Sequence, residues 1–290
     1  MTIAAVVVTH NRKELLSRCL DAIIRQTRCV QKIYVIDNAS SDGTYEYLGA
    51  HAYLENSKIG YHRMRCNSGS AGGFSFGIRV AMEDGFDYMW TMDDDGLPAD
   101  TCLEELFQHR DGRYFLSPFV ISETGEIGER LQCMLSLKGV SKNGDMIFGY
   151  AYPMNGILLS RRLIEDVGFP DAKYFIRGEE NEYLLRAQQQ GYQAVTAMRA
   201  HFYHKIDELR SLPFQLGTVF VAPTLHTYCY YRNYYHIFEK YYGVKFRNRW
   251  LKKEIIKRCI LCEFHTISIM IRAIKDAARN TWGGETRYLQ

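Results

Sequence analysis

An unbroken apolar run, Ile3-Ala4-Ala5-Val6-Val7-Val8, stands at the head of the chain. A run without alternation predicts a strand buried on both faces, as in parallel sheets. It is too short to span a membrane and has no charged stretch before it, so a first strand is expected rather than a signal peptide. After Thr9-His10-Asn11-Arg12, Leu16, Leu20, Ile23 and Ile24 recur at helical spacing. Asn11 with Glu14 three residues later has the spacing of a capping box. Ile33-Tyr34-Val35-Ile36 predicts a second strand, which runs out into Asp37-Asn38-Ala39-Ser40-Ser41-Asp42-Gly43. The chain therefore opens β-α-β with polar residues at the strands' carboxyl ends, where open α/β sheets bind ligands.

Asn67-Ser68-Gly69-Ser70-Ala71-Gly72-Gly73-Phe74 reads as a small-residue loop, with a helix following over Phe76–Glu83. Small residues there let backbone N–H groups approach a phosphate; a flexible turn is the plain alternative. Strands are expected at Asp87–Met92, Tyr114–Ile121, Gly156–Leu159 and Ala194–Tyr203. Helices are expected at Pro98–His109, Arg161–Val167 and from Gly178 to Gly191. Residues 122–150 are glycine-rich and without period, more loop or hairpin than core. The first βα turn has no glycine, which excludes a dinucleotide-binding fingerprint, and no G-x-x-x-x-G-K-[ST] phosphate loop occurs.

Two places concentrate chemistry. Tyr88-Met89-Trp90-Thr91-Met92 ends in Asp93-Asp94-Asp95. Three adjacent carboxylates repel one another, and a divalent cation relieves that repulsion. A solvated acidic turn, helped by Gly96 and Pro98, explains the triplet equally well by itself. The second place is Gly178-Glu179-Glu180-Asn181-Glu182, after Tyr174 and Phe175. Acids in a first helical turn complement the dipole, and a carboxylate beside aromatic rings can have its pKa raised toward that of a working base. His201 and His204 close the strand that follows, and neutral imidazole with Asp suits Mn²⁺.

At 290 residues the chain is one large domain or two small ones, and a net charge of +3 gives no argument for nucleic acid. The charge is unevenly spread. From Lys245 to Gln290 there are eleven Lys/Arg against four Asp/Glu, a local excess of +7 that leaves about −4 elsewhere. Eight scattered cysteines suggest reduced thiols and a cytosolic setting. Cys259 and Cys262 have CxxC spacing without a second pair, and their apolar helical context predicts buried thiols rather than zinc.

The order of these pieces resembles the family 2 inverting glycosyltransferases. The resemblance covers Ile3 to His204: Thr9-His10-Asn11-Arg12, then Asp37 to Thr44, the Asn67–Gly73 stretch, the Asp triplet, the acidic helix start and His204. It implies an α/β chain of GT-A fold, with a Rossmann-like, mostly parallel central sheet flanked by helices. The catalytic domain would span 1–210, its nucleotide-sugar half about 1–100 and its acceptor half about 101–210, with a C-terminal helical, basic extension over 211–290. It also implies roles. Thr9 and Asp37 would hold base and ribose; Arg12, Asn67, Gly72, Gly73 and Arg79 would line the donor. Asp93, Asp95 and His204 would hold Mn²⁺ or Mg²⁺ against the diphosphate, with Asp93 and Asp94 also meeting the donor. Glu180 would be the catalytic base by position. The family commonly has Asp there, so the neighbouring Glu179 stays in contention.

The Asp-Asp-Asp form after an aromatic strand is most like the branch using UDP-galactofuranose. A rhamnosyltransferase using dTDP-rhamnose is the alternative, and an inactive nucleotide-sugar-binding scaffold is the non-enzyme one. The resemblance implies a glycan acceptor, lipid-linked, in making O-antigen, capsule or other cell-envelope polysaccharide, at the cytoplasmic face of the membrane. Tyr228, Tyr230, Tyr231, Tyr234 and Tyr235 around Arg232 and Asn233 predict an ordinary helix with a packed aromatic face. Beyond it, Lys252, Lys253, Lys257 and Arg258 alternate with Trp250, Ile255, Ile256 and Ile260. That pattern suits either a helix lying on an anionic membrane or one packed against the protein or a second subunit.

Overall fold

The continuous apolar runs pair with one another in a single mixed sheet. The computed structural model describes residues 1–122, 131–132, 134–204, 209–211, 218–220 and 222–289. Its elements are β1 (Ile3–Thr9), α1 (Lys13–Ile24), β2 (Lys32–Asp37), α2 (Thr44–Ala50), β3 (Ile59–Arg63), α3 (Gly69–Glu83), β4 (Tyr88–Asp93), β5 (Leu97–Pro98) and α4 (Cys102–Gln108). They continue with β6 (Tyr114–Ile121), β7 (Ser141–Asn143), β8 (Met146–Phe148), β9 (Ile157–Ser160), α5 (Arg161–Val167), α6 (Glu179–Gln189) and β10 (Gln193–Tyr203). The last are β11 (Leu209–Ser211), β12 (Thr218–Phe220), α7 (Thr224–Tyr242), α8 (Val244–Ile260) and α9 (Phe264–Ala278).

The main sheet has the order β3-β2-β1-β4-β9-β6-β10-β8-β7, with β5 paired to β10. β1 is parallel to both β2 and β4, and β6 is parallel to β10, while β9 runs antiparallel between β4 and β6. Ile3, Ala5 and Val7 enter one apolar cluster with α1 and α4; Ala4, Val6 and Val8 enter another with α3 and α5. Burial of both faces is the physical reason the strand shows no alternation.

Cα packing divides the chain into two compact units: Met1–Pro170 with Tyr183–Ile206, and Asp171–Glu182 with Asp207–Gln290. The whole ten-stranded sheet lies in the first. In the second, α7 and α9 share a core of Tyr228, Cys229, Tyr231, Ile269, Met270 and Ala273, joined by Phe175. The aromatic face expected of the Tyr-rich helix is thus packed. The hairpin β11–β12 belongs to this unit as well.

Some local expectations are corrected. The small-residue stretch is helical from Gly69, because glycines let α3 press onto β1 and β2. A Cβ on Gly73 would stand 2.6 Å from Val8 Cγ1, and one on Gly77 2.4 Å from Val6 Cγ1. Gly77→Ala is therefore expected to cost about 1–3 kcal/mol by overpacking, read as a lower urea midpoint at unchanged slope. Asn11 does not cap α1. Its φ of 55° turns it away, and its Oδ1 accepts the Ser41 N–H at 2.7 Å, fastening the first two βα turns together. Cys259 and Cys262 are exposed, not buried. The seven described cysteines are free thiols, while Cys133 lies outside the described residues, as do 123–130 of the glycine-rich segment.

Candidate active site

The strand order β2-β1-β4 sets Asp37, Thr9 and Asp93 side by side, each the last residue of its strand. Thr9 is in register with Asp37 on one side, and Val8 with Asp93 on the other. Adjacent strands lie about 4.8 Å apart, so three chain segments meet at one edge. Asp37 is buried: its Oδ1 accepts the Ser40 N–H at 2.8 Å, and its Oδ2 accepts the Tyr61 hydroxyl. Asn38 donates to Gly69 O at 2.9 Å and accepts from Ser68 Oγ at 3.0 Å, while Asn67 Oδ1 accepts the Gly69 N–H at 2.9 Å. These bonds hold the first turn of α3, with buried Gly72 and Gly73, beside the same edge.

The Asp triplet is drawn into a polar chain. Asp94 is buried; its Oδ2 accepts the Thr9 hydroxyl at 2.6 Å and its Oδ1 the Arg12 guanidinium at 3.3 Å. The same Arg12 nitrogen donates to Asp95 Oδ2 at 3.0 Å. Asp95 Oδ1, a buried atom, stands 3.2 Å from His204 Nε2 without an aligned hydrogen bond. His204 reaches it because β5 turns back to pair with the end of β10, Leu97 opposite Tyr203. Gly96 allows that turn, since a Cβ there would meet the Phe202 ring at 2.4 Å.

Crowding sets the charges. Desolvation, then Asp95 and Asp94, push the Asp93 carboxyl up to about 8. Desolvation also raises Asp94, to about 6, against the pull of Thr9 and Arg12. Asp95 goes the other way. Burial would raise it, but His204 and Arg12 outweigh burial and hold its carboxyl below the usual range. The edge thus gathers more acid than its own cations neutralise.

The second unit carries the other acids. Gly178 ends a loop in which Phe175, Arg177 and Gly178 all have positive φ, at 64°, 66° and 101°. Buried Asn233 of α7 holds this loop by donating to Tyr174 O at 2.8 Å, Ile176 O at 3.0 Å and Arg177 O at 2.7 Å. Arg232 donates to Tyr174 O at 2.8 Å and pairs with Glu285. Glu179 and Glu180 then open α6 as expected. Glu179 is buried, whereas Glu180 is partly exposed; its Oε2 accepts the Gly178 N–H at 2.8 Å.

The glycosyl transferase family 2 profile matches residues 4–142. The galactofuranosyltransferase GlfT1 of Mycolicibacterium smegmatis is 33% identical over 216 residues, 70% of each chain. The chain belongs to glycosyl transferase family 2. GlfT1 of Mycobacterium tuberculosis is 29% identical over 218 residues, again 70% of each chain. Among solved structures, the mannosyltransferase PcManGT of Pyrobaculum calidifontis, in complex with GDP-Man and Mn²⁺, aligns with a TM-score of 0.60 at 16% identity, covering 96% of this chain and 75% of that one. GalNAc-T7 with UDP, GalNAc and Mn²⁺ gives 0.57 at 18%, covering 80% of this chain but 47% of its own. At such identities these likenesses speak for the GT-A fold.

In this family 2 glycosyltransferase, the first unit brings Thr9, Arg12, Asp37, Asn67, Gly72, Gly73, Asp93, Asp94, Asp95 and His204 to one edge of the sheet. Arg79 is not among them. It lies ten residues beyond Gly69, about 15 Å further along α3, with its guanidinium 4.2 Å from the centre of the Phe169 ring. The helical phase of α3 accounts for this, since a loop through residue 74 would have left Arg79 nearer its start. Tyr61 and Arg63 escaped the sequence reading. Both lie on β3, and Arg63 stands opposite Asp37 and donates to Ser40 O at 2.7 Å. The polar residues that follow the Ile59 strand start are their only trace in the sequence.

Proposed function

We propose that this glycosyltransferase moves galactofuranose from UDP-galactofuranose onto a glycan acceptor, with inversion and with a divalent metal. The likeness to two galactofuranosyltransferases supports the donor. The observation that carries the metal is the convergence of Asp95 and His204, distant in sequence, beside two further carboxylates. Two carboxylates and an imidazole are suitable ligands for Mn²⁺ or Mg²⁺, and the buried Asp95 Oδ1 has no aligned donor. Among the described residues no three His, Cys, Asp or Glu groups already stand at metal-binding spacing. The ligands Asp93, Asp95 and His204 would have to draw together, and Arg12 holds the positive charge meanwhile. The ion would neutralise charge on the departing diphosphate.

In this reading Asp37 and Thr9 receive the nucleoside and the first turn of α3 faces the phosphates. Glu180 takes the proton of an acceptor hydroxyl. The hydroxyl oxygen bonds to the anomeric carbon from the side opposite the nucleotide, and the bond to the diphosphate breaks with its electron pair leaving on UDP. A lipid-linked acceptor and a role in envelope polysaccharide belong to the same proposal, as does a catalytic domain ending near residue 210. Asp95→Ala is expected to abolish the gain in UDP affinity that Mn²⁺ gives in calorimetry and to lower transfer by about 10²–10³-fold, the scale of losing one preorganised electrostatic contact. Unchanged Mn²⁺-dependent binding in that variant would sink the metal assignment.

A further inference from the structure

The hairpin of α8 and α9 leaves an apolar tip without cover. Phe264 is 71% exposed, Ile256 58% and Ile260 43%, and Ile255 and the thiols of Cys259 and Cys262 are exposed around them. The inward face of α8 is different. Glu254 and Arg258 are buried there; Tyr231 of α7 donates to Glu254 at 3.2 Å, Lys257 pairs with Glu254 at 2.9 Å, and Arg258 pairs with Glu263 at 2.5 Å. The acids of this hairpin are therefore consumed internally. Lys245, Arg249, Lys252 and Lys253 lie on the outward face and are exposed, and among the described residues none of the four forms an ion pair. Their helical phase puts them in line with Ile256 and Ile260, basic toward the start of α8 and apolar toward its end.

We infer that this hairpin docks the protein on an anionic phospholipid surface, Phe264, Ile256 and Ile260 entering the headgroup boundary while the four cations meet the lipid phosphates. Apolar tip and basic collar on one face are the two signals such binding needs. A purely polar anion such as nucleic acid would leave the exposed Phe264 and isoleucines unused. Among the described residues no helix is long and apolar enough to cross a membrane, so the contact is a lying-on one. It is carried by the second unit alone and does not depend on which sugar is moved.

The test is co-sedimentation of the full chain with vesicles of phosphatidylcholine, with and without phosphatidylglycerol, alongside light scattering. The native chain is expected to bind the anionic vesicles and to release in salt. Phe264→Asp and, separately, the pair Lys252→Glu with Lys253→Glu are each expected to weaken binding by at least about tenfold, since each basic residue near such a surface contributes about a factor of five. Helical circular dichroism and the urea unfolding midpoint should stay near native, which shows that the variants are folded, and neither readout depends on the transfer reaction. Absence of vesicle binding, binding as strong as the native chain's in either variant, or a native dimer that Phe264→Asp splits without any vesicle contact would each overturn the inference; the last would make the face an interface between copies.

Discussion

Glu180→Gln is expected to keep UDP affinity and slow sugar transfer by about 10²–10⁴-fold, the usual yield of a positioned general base. The substitution preserves size, and the Gln carbonyl oxygen can still accept the Gly178 N–H that Glu180 Oε2 accepts at 2.8 Å. What it removes is the capacity to take a proton. Glu179, one residue earlier, is only 4% exposed, so an acceptor hydroxyl has less access to it. Initial rates of transfer beside calorimetric UDP binding separate the two quantities. Full activity in Glu180→Gln, with loss in Glu179→Gln, would move the role to Glu179.

The second large effect is expected at a residue that does no chemistry. Asn233 Nδ2 has two hydrogens and faces three carbonyls, those of Tyr174, Ile176 and Arg177, at 2.7–3.0 Å. They belong to a loop whose Phe175 and Arg177 both have positive φ, which such side chains adopt only when held. Asn233→Ala leaves Tyr174 O with Arg232 but strips Ile176 and Arg177 of this donor. At about 1–3 kcal/mol per buried group left unsatisfied, a loss of about 2–5 kcal/mol is expected in urea unfolding. Transfer should fall further than the folded fraction does, with kcat affected more than KM for donor, because the loop sets where α6 and Glu180 begin. Asn233→Asp, an acceptor placed among acceptors, should be at least as damaging. Native kcat in folded Asn233→Ala would show that the loop holds its shape without the clamp.

Much of the first unit was legible in the chain because its signals are local. β1, β2 and β4 are apolar runs buried on two faces, and the polar residues that end them, Thr9, Asp37 and Asp93, lie at one sheet edge. The positions of Tyr114–Ile121 and Arg161–Val167 follow from short, well-bounded patterns of the same kind. Where local propensity competes with tertiary contact, the reading fails. Glycines that look like a loop at 69–73 are helical, and their small size serves packing on the sheet: Gly73 lies against Val8 and Asn38, and Gly77, one turn on, against Val6 and Ile36. Asn11 has a capping sequence but is recruited by Ser41 across the turn. Cys259 looked buried by its neighbours, but the helix presents it outward. The clamp on the acidic loop joins residues nearly sixty apart, and nothing in the spacing of Tyr174 to Gly178 announces Asn233. The packing of Asp171–Glu182 with the C-terminal helices is invisible for the same reason.

Release of the nucleoside diphosphate from a panel of nucleotide sugars in the presence of Mn²⁺, followed by the configuration of the new linkage, tests the central assignment most directly. UDP-galactofuranose is expected to be consumed preferentially, with transfer dependent on the metal and the anomeric configuration inverted in the product. Preferential use of dTDP-rhamnose, retention of configuration, or full turnover after metal chelation would contradict it.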